Sequence, residues 1–435
     1  MSKKNNAPRL ANAASGVSSL LASLVCILVG LVVGFIVLLV LGGITLAQSG
    51  SAFSFMELLK TTWSQGFKPI VQGGFFASAN TMGMGVRMEI LQAAPLIMTG
   101  LSVAIAFKTG LFNIGAPGQY LMGTLASLSI ALGIPSTSVP AGIIWVLALL
   151  GGMLAGALWG AIPGLLKALL NINEVLACIM TNWIAANLVT WMFDISNFKN
   201  MVENTKSGYI YKTSFNGVAT PKLGLDKLFP GSQINGGILL AILLAVVVYV
   251  IMQKTTFGYQ LKACGSNRHA ARYAGIPDKR NIVLSMAIAG ALAGTGAALY
   301  WLSGNTEFYW TTYQSLPAVG FNGIPVALLA INNPVGVIFA GIFMAMLDIV
   351  GMQLTNLTAY NEYITDVIIS VIVYLSAFSL VIRMMLVNIR KRREMKKATV
   401  TTAPVPPEAQ AQPLDAPEET PPDPDGEQEK GGEDA

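Results

Sequence analysis

The sequence predicts an all-α polytopic membrane protein, with about ten transmembrane helices in two inverted five-helix halves and short broken helices. Three observations lead there. First, 53% of the 435 residues are hydrophobic and only 11% are charged, against roughly 25% charged in a soluble domain. So long a chain cannot cover its own surface with so few charges, and lipid must serve as solvent over much of it. Second, the apolar residues fall into runs near the length of a membrane span, with lysine and arginine gathered between them. Third, two short Phe-Asn segments, each followed by Gly and Pro, stand at matching places in the two halves.

The first run, 17–47, follows Lys3, Lys4 and Arg9. It has about 30 residues, whereas the apolar core of a cleaved signal has about 7–15. It therefore reads as an uncleaved first helix behind a cytoplasmic N-terminus, residues 1–16. Further runs are 90–107, closed by Lys108, the short 119–132, and 139–166, closed by Lys167. Residues 177–193 end at Asp194, 234–252 stop before Lys254, and 281–303 follow a strongly basic loop. Run 318–331 is short and interrupted by Gly320, Gly323 and Pro325; runs 335–352 and 363–382 complete the set. Each is expected to be helical, because an open strand cannot satisfy its backbone in lipid.

Basic residues set the orientation. Loop 253–280 carries Lys254, Lys262, Arg268, Arg272, Lys279 and Arg280, and a cluster from Arg390 to Lys397 follows the last run. Both are expected in the cytoplasm, so N- and C-termini share one side and the span count is even. Segments 48–89 and 195–233 then lie outside the cell. Residues 17–385 form the membrane domain, and 386–435 a tail that is first basic and then acidic and Pro-rich. From about Ala398 its composition cannot bury enough apolar surface to offset ordering, so the tail is expected to be disordered.

The net charge of +5 belongs to orientation, not to nucleic-acid binding. Cys26, Cys178 and Cys264 stand far apart and His269 is the only histidine, which argues against a metal site or a disulfide framework.

The two Phe-Asn segments are 110–119 and 319–326. Paired Gly/Pro-interrupted segments in matching positions point to broken helices beside a substrate path, where irregular backbone is tolerated against protein or a water-filled cavity. Asn113 and Gln119 flank the first break, Asn322 lies in the second, and Asn171, Asn173, Glu174 and Asn182 gather about run 177–193. Amides donate and accept hydrogen bonds without fixed charge, which suits an uncharged polar cargo. The same residues serve equally as helix caps and interhelical bonds. No chain of mid-span Asp, Glu or His resembles a proton relay, and no G-x-x-x-x-G-K-[ST] loop can cradle ATP. If transport is active, its energy comes from another polypeptide. In the basic loop, the alanines and Tyr273 allow a short helix between Asn267 and Ala274, ended by Gly275 and stopped by Pro277. A handle for a partner and a simple positive-inside anchor both fit that composition.

Ala270, Ala271 and Gly275, with Gly258, Gly265, Asn267 and Ala274, resemble the coupling segment of bacterial ABC importer permeases of the branched-chain amino acid and simple-sugar family. Segments 106–123, 165–185 and 285–304 resemble its nucleoside branch, and the resemblance covers residues 90–385. It implies a ten-span transport subunit, not itself an enzyme, in the bacterial cytoplasmic membrane. It also implies a second, non-identical permease, an ABC ATPase subunit where ATP binds, and an extracytoplasmic substrate-binding lipoprotein. This chain would hold no cofactor of its own. Gly265, Asn267, Ala270, Ala271 and Gly275 would couple to the ATPase, and the polar residues read above from the breaks and span ends, Asn113, Gln119, Asn173, Glu174, Asn182 and Asn322, would line the cargo path. A simple-sugar cargo such as ribose or galactose, and an ion-coupled secondary transporter, are the competing readings.

Overall fold

The computed structural model describes most of residues 25–357. Outside the description lie residues 1–24, 26–27, 30, 45–46, 48–53, 69–84, 201–207, 229–233, 305, 311–314 and, apart from scattered helical positions, 358–435. The chain divides into two compact units, 1–386 and 387–435, and every element named below belongs to the first. The N-terminal segment 1–16 and the acidic tail fall outside the described residues, as does almost all of run 363–382.

The described elements follow in chain order. Helix α1 is Leu31–Ile44. Helix α2 is Phe55–Thr61, prolonged by a π-helical stretch Thr62–Phe67, and α3 is Gly85–Lys108. Then come α4 (Ala116–Gly133), α5 (Ala141–Leu170), α6 (Glu174–Asp194), β1 (Tyr209–Ile210) and the short α7 (Leu225–Leu228). The second part holds α8 (Gly237–Lys254), α9 (Thr256–Ser266), α10 (Arg268–Tyr273), α11 (Asp278–Trp301), β2 (Phe308–Tyr309), α12 (Ala318–Leu329) and α13 (Pro334–Leu357). The strands pair antiparallel, Tyr209 with Tyr309 and Ile210 with Phe308, and join the two long interhelical segments.

Among the described residues, α5, α6, α8 and α11 are long and apolar enough to cross a membrane. Shorter apolar helices are α1, α12, residues Ala93–Lys108 of α3 and Pro334–Asp348 of α13. On α5 the side chains are sorted in the inverse of a soluble protein. Helix α5 exposes Leu150, Leu154, Leu158, Leu165 and Leu169 while it buries Gly152, Gly156, Gly160 and Gly164. Large apolar side chains outward and small ones inward are the pattern of a helix that faces lipid and packs by close backbone approach. The partner of that glycine face is α11. A Cβ added at Gly156 would lie 2.9 Å from Gly294 Cα, and one at Gly160 would lie 3.0 Å from Gly290 Cα. Helix α4 joins the same junction, since a Cβ on Gly123 would meet Gly294 Cα at 2.5 Å. Helices α4 and α11 are thus the buried centre, and α5 closes over them.

Helices α6 and α11 begin three residues before their apolar runs. Polar residues form the first turn in both: Asn173 caps α6 by accepting from the Val175 N–H at 2.9 Å, and Asp278 opens α11. The two expected interruptions differ. Between α3 and α4 the break is present, with Gly110 at φ +74°. Helix α12, by contrast, runs unbroken through Gly320, Gly323 and Pro325. Its interruption comes later, where Ile331 and Asn332 take left-handed φ of 51° and 53° before α13.

Candidate functional site

The break between α3 and α4 leaves backbone groups without helical partners inside the protein, and amide side chains supply them. The Asn182 Oδ1 accepts from the Gly118 N–H at 2.9 Å, and its Nδ2 donates to the Ile114 carbonyl at 3.0 Å. One side chain on α6 therefore satisfies a donor and an acceptor of the irregular segment. Asn182 is 1% exposed, a depth at which either backbone group would otherwise be stranded.

Asn113 and Gln119 form a reciprocal amide pair within the same break. Asn113 Nδ2 donates to Gln119 Oε1 at 2.9 Å, and Gln119 Nε2 donates to Asn113 Oδ1 at 3.0 Å. Asn113 Nδ2 also donates to Ser102 Oγ on α3, at 3.0 Å, and its Oδ1 accepts from the Gly115 N–H at 3.2 Å. Asn113 thereby uses two donors and two acceptor positions, the full capacity of a primary amide. Ser102, Asn113 and Gln119 are all buried. The cluster carries no fixed charge, and its Asn113 amide is fully used while Gln119 keeps a second N–H.

Other expected path residues lie elsewhere. Asn173 is the N-cap already described, and Glu174 pairs with Lys167 Nζ at 3.0 Å across the α5–α6 turn. Asn171 ends α5 in left-handed conformation at φ 54°. Asn322 lies half-buried on α12, and its amide has no hydrogen bond among the described residues. Its neighbour Gly320 packs against the first break: a Cβ there would sit 2.5 Å from Pro117 Cα. The two Phe-Asn segments therefore touch.

The basic loop folds as two helices. Thr255 caps α9 by accepting from the Gly258 N–H at 3.1 Å, and Asn267 caps α10 by accepting from the Ala270 N–H at 3.0 Å. Helix α10 closes with a Schellman pair, Gly275 N–H to the Arg272 carbonyl and Ile276 N–H to the Ala271 carbonyl, each at 3.0 Å. Gly275 has φ +76°, the left-handed conformation this ending needs. Arg268 Nε and Arg272 Nη2 both bond Asp278 Oδ2, at 2.7 and 2.8 Å, which ties α10 to the start of α11. The shared carboxylate raises the Arg272 guanidinium further above its already high pKa. Between α9 and α10 lies an open groove of about 530 Å³, lined by Tyr259, Ala263, Asn267, Ala270, Ala271 and Ala274. Tyr273 stands 96% exposed beside it.

Sequence reasoning located Asn113, Gln119 and Asn182 but did not join them. Ser102, the capping of Gly118 and Ile114 by Asn182, and the double use of Asp278 were missed. Only Asp278 carried a local signal, an acidic residue directly after Pro277 at a helix start.

Comparison with known proteins agrees with this architecture. The family described as "Branched-chain amino acid transport system / permease component" matches residues 87–377. The chain is 36% identical to the guanosine ABC transporter permease protein NupP of Bacillus subtilis over 73% of its own length and 87% of that protein. It is likewise 36% identical to the nucleoside ABC transporter permease protein NupB of Lactococcus lactis subsp. cremoris, covering 72% and 84% of the two chains. The glucose ABC transporter permease protein TsgB13 of Haloferax volcanii is 32% identical over 64% of this chain and 72% of its own.

Proposed function

The chain belongs to the branched-chain amino acid transport system permease family, and from that premise we propose that it is the permease subunit through which an ABC importer brings nucleosides into the cell. The observation that carries the cargo is equal similarity, over nearly three quarters of the chain, to two permeases named for guanosine and nucleosides. The amide cluster is chemistry of the right kind. A nucleoside is neutral and offers donors and acceptors on both base and ribose, and amides can meet either without the cost of a desolvated charge.

In this reading Asn113 and Gln119 are the polar centre of the path, in its closed state. Asn182 holds the break in shape, and Asn322 faces it from the second half. The membrane domain has ten spans in two inverted halves, with both termini and the α9–α10 loop in the cytoplasm. ATP is hydrolysed on a partner ATPase subunit, which docks on α9 and α10. The alanine-floored groove, with Tyr259 and Tyr273 exposed at hand, is suited to an apolar knob on that partner. A second, non-identical permease and an extracytoplasmic binding lipoprotein complete the machine.

A simple-sugar cargo is the second reading, favoured by the glucose permease among the relatives. Uptake of radiolabelled uridine and guanosine, in cells with and without the chain, decides between them when excess ribose or galactose is the competitor. Chain-dependent uptake that ignores the free sugars is the expected result. Entry of labelled sugar without nucleoside would overturn the cargo and leave the permease in place.

A further inference from the structure

The basic loop touches the broken segment directly. Helix α9 lies with Gly265 against the turn that ends α3, so closely that a Cβ there would collide with the Lys108 carbonyl and lie 2.8 Å from the Gly110 nitrogen. From the other side, a Cβ on Gly110 would stand 3.0 Å from Gly265 Cα. Two glycines thus let two backbones meet with nothing between them. The turn is held on its second side by α11, where Ser285 Oγ donates to Thr109 Oγ1 at 2.8 Å, and Thr109 Oγ1 in turn donates to the Ile105 carbonyl at 3.0 Å. Helix α9 is held to α11 as well, since Asn281 Nδ2 approaches Cys264 Sγ at 3.6 Å. Beyond Gly110 the chain runs without regular structure to Asn113 and the amide pair.

We infer that the Gly265–Gly110 contact is where the cytoplasmic loop acts on the amide cluster, with Gly265 facing inward as a positioning residue and not outward as an ATPase contact. The inference rests on the importer reading above and adds to it the point of transmission. A turn clamped between α9 and α11 has no slack, because close-packed backbone transmits displacement where a flexible side chain would absorb it. Movement of α9 relative to α11 must therefore shift residues 108–110. The irregular stretch after Gly110 converts that shift into a change at Asn113, whose four hydrogen bonds give it one well-defined position to leave. The groove between α9 and α10, on the exposed side of the loop, then receives the partner, while the Gly265 face of α9 delivers.

The test uses the complete transporter in sealed vesicles, with nucleoside uptake and ATP hydrolysis measured on the same preparation. Gly265→Ala forces α9 off the turn, and Ser285→Ala removes the clamp from the far side without adding an atom. The readout is nucleoside moved per ATP hydrolysed, a ratio that simple loss of folded transporter leaves unchanged. Gly265→Ala is expected to lower it about tenfold, an ordinary size for coupling between two sites, and Ser285→Ala by a smaller factor in the same direction. An unchanged ratio in Gly265→Ala overturns the inference. If that variant does not assemble, Ser285→Ala decides in the same way, a lowered ratio supporting the contact and a wild-type ratio overturning it. Failure of the unaltered transporter to move nucleoside would instead remove the importer reading itself.

Discussion

Replacing Asn182 tests whether the break between α3 and α4 is held by a single side chain. Its amide satisfies the Gly118 N–H at 2.9 Å in buried surroundings and the part-buried Ile114 carbonyl at 3.0 Å. A buried polar group left without a partner costs about 1–3 kcal/mol. Asn182→Ala strands two, so the sum is about 2–6 kcal/mol, and local relaxation brings it to the lower half of that range. Asn182→Leu separates the hydrogen bonds from the cavity, because leucine nearly fills the same volume and makes neither bond. A loss of about 3 kcal/mol lowers the melting temperature of the purified protein in detergent by about 3–4 °C. Both variants should show that fall, and both should raise the KM for nucleoside, since the amide pair sits on the segment that loosens. If Asn182→Leu melts and transports like the unaltered protein, the break is held by packing, and the capping role assigned to Asn182 is wrong.

Removing the amide pair should act on cargo more than on assembly. Asn113→Leu or Gln119→Leu is expected to reduce kcat/KM for nucleoside uptake by about tenfold, from the loss of hydrogen bonds worth about 1 kcal/mol each, with assembly with the ATPase partner intact by co-purification. Gly156→Leu drives a branched side chain into the α11 backbone, where even a Cβ lies only 2.9 Å from Gly294 Cα. No folded protein should be recovered from the membrane fraction, whereas Leu158→Ala on the opposite, exposed face should leave the yield unchanged. Gly275→Val puts a β-branched residue at φ +76°, a strain of about 1–2 kcal/mol; it has open space around it, so α10 should fray and uptake fall while the transporter stays assembled.

Much of this architecture was legible because lipid leaves the sequence few choices. Apolar runs of spanning length gave α5, α6, α8 and α11 to within a few residues. The α10 ending was readable too, since Gly275 and Pro277 leave the helix no way to continue. What could not be read is tertiary. The glycines of α5 recur every fourth residue, but only the fold shows that they face Gly290 and Gly294. Asn113 and Gln119 looked like separate candidates, because a pair six residues apart meets only if the chain turns tightly between them. The expectation of a second broken helix went astray at Gly320–Pro325 for a related reason. Those glycines serve close packing against Pro117 and Thr99, not a bend, and a glycine's two uses look identical in a sequence.

Under the importer reading, the amide cluster also bears on where the energy of transport enters. Asn113 already makes four hydrogen bonds, so any cargo that addresses it must first displace one of them. Exchanging one neutral hydrogen bond for another changes the free energy by only about 0.5–1.5 kcal/mol. Cargo binding at such a site is therefore close to balanced and cannot by itself open the path to a large extent, since moving a two-state equilibrium from mostly closed to mostly open takes about 5.5 kcal/mol of differential binding. The missing energy has to reach the break from outside it. Helix α9 touches the turn before the break through backbone at Gly265, a contact with too little freedom to store energy and well suited to pass it on. An uncharged centre built on the fully bonded Asn113 and a rigid contact at its edge are, in that reading, two parts of one arrangement. In the proposed importer, the centre is nearly indifferent to which hydrogen bonds it makes, and the loop would decide when it makes them.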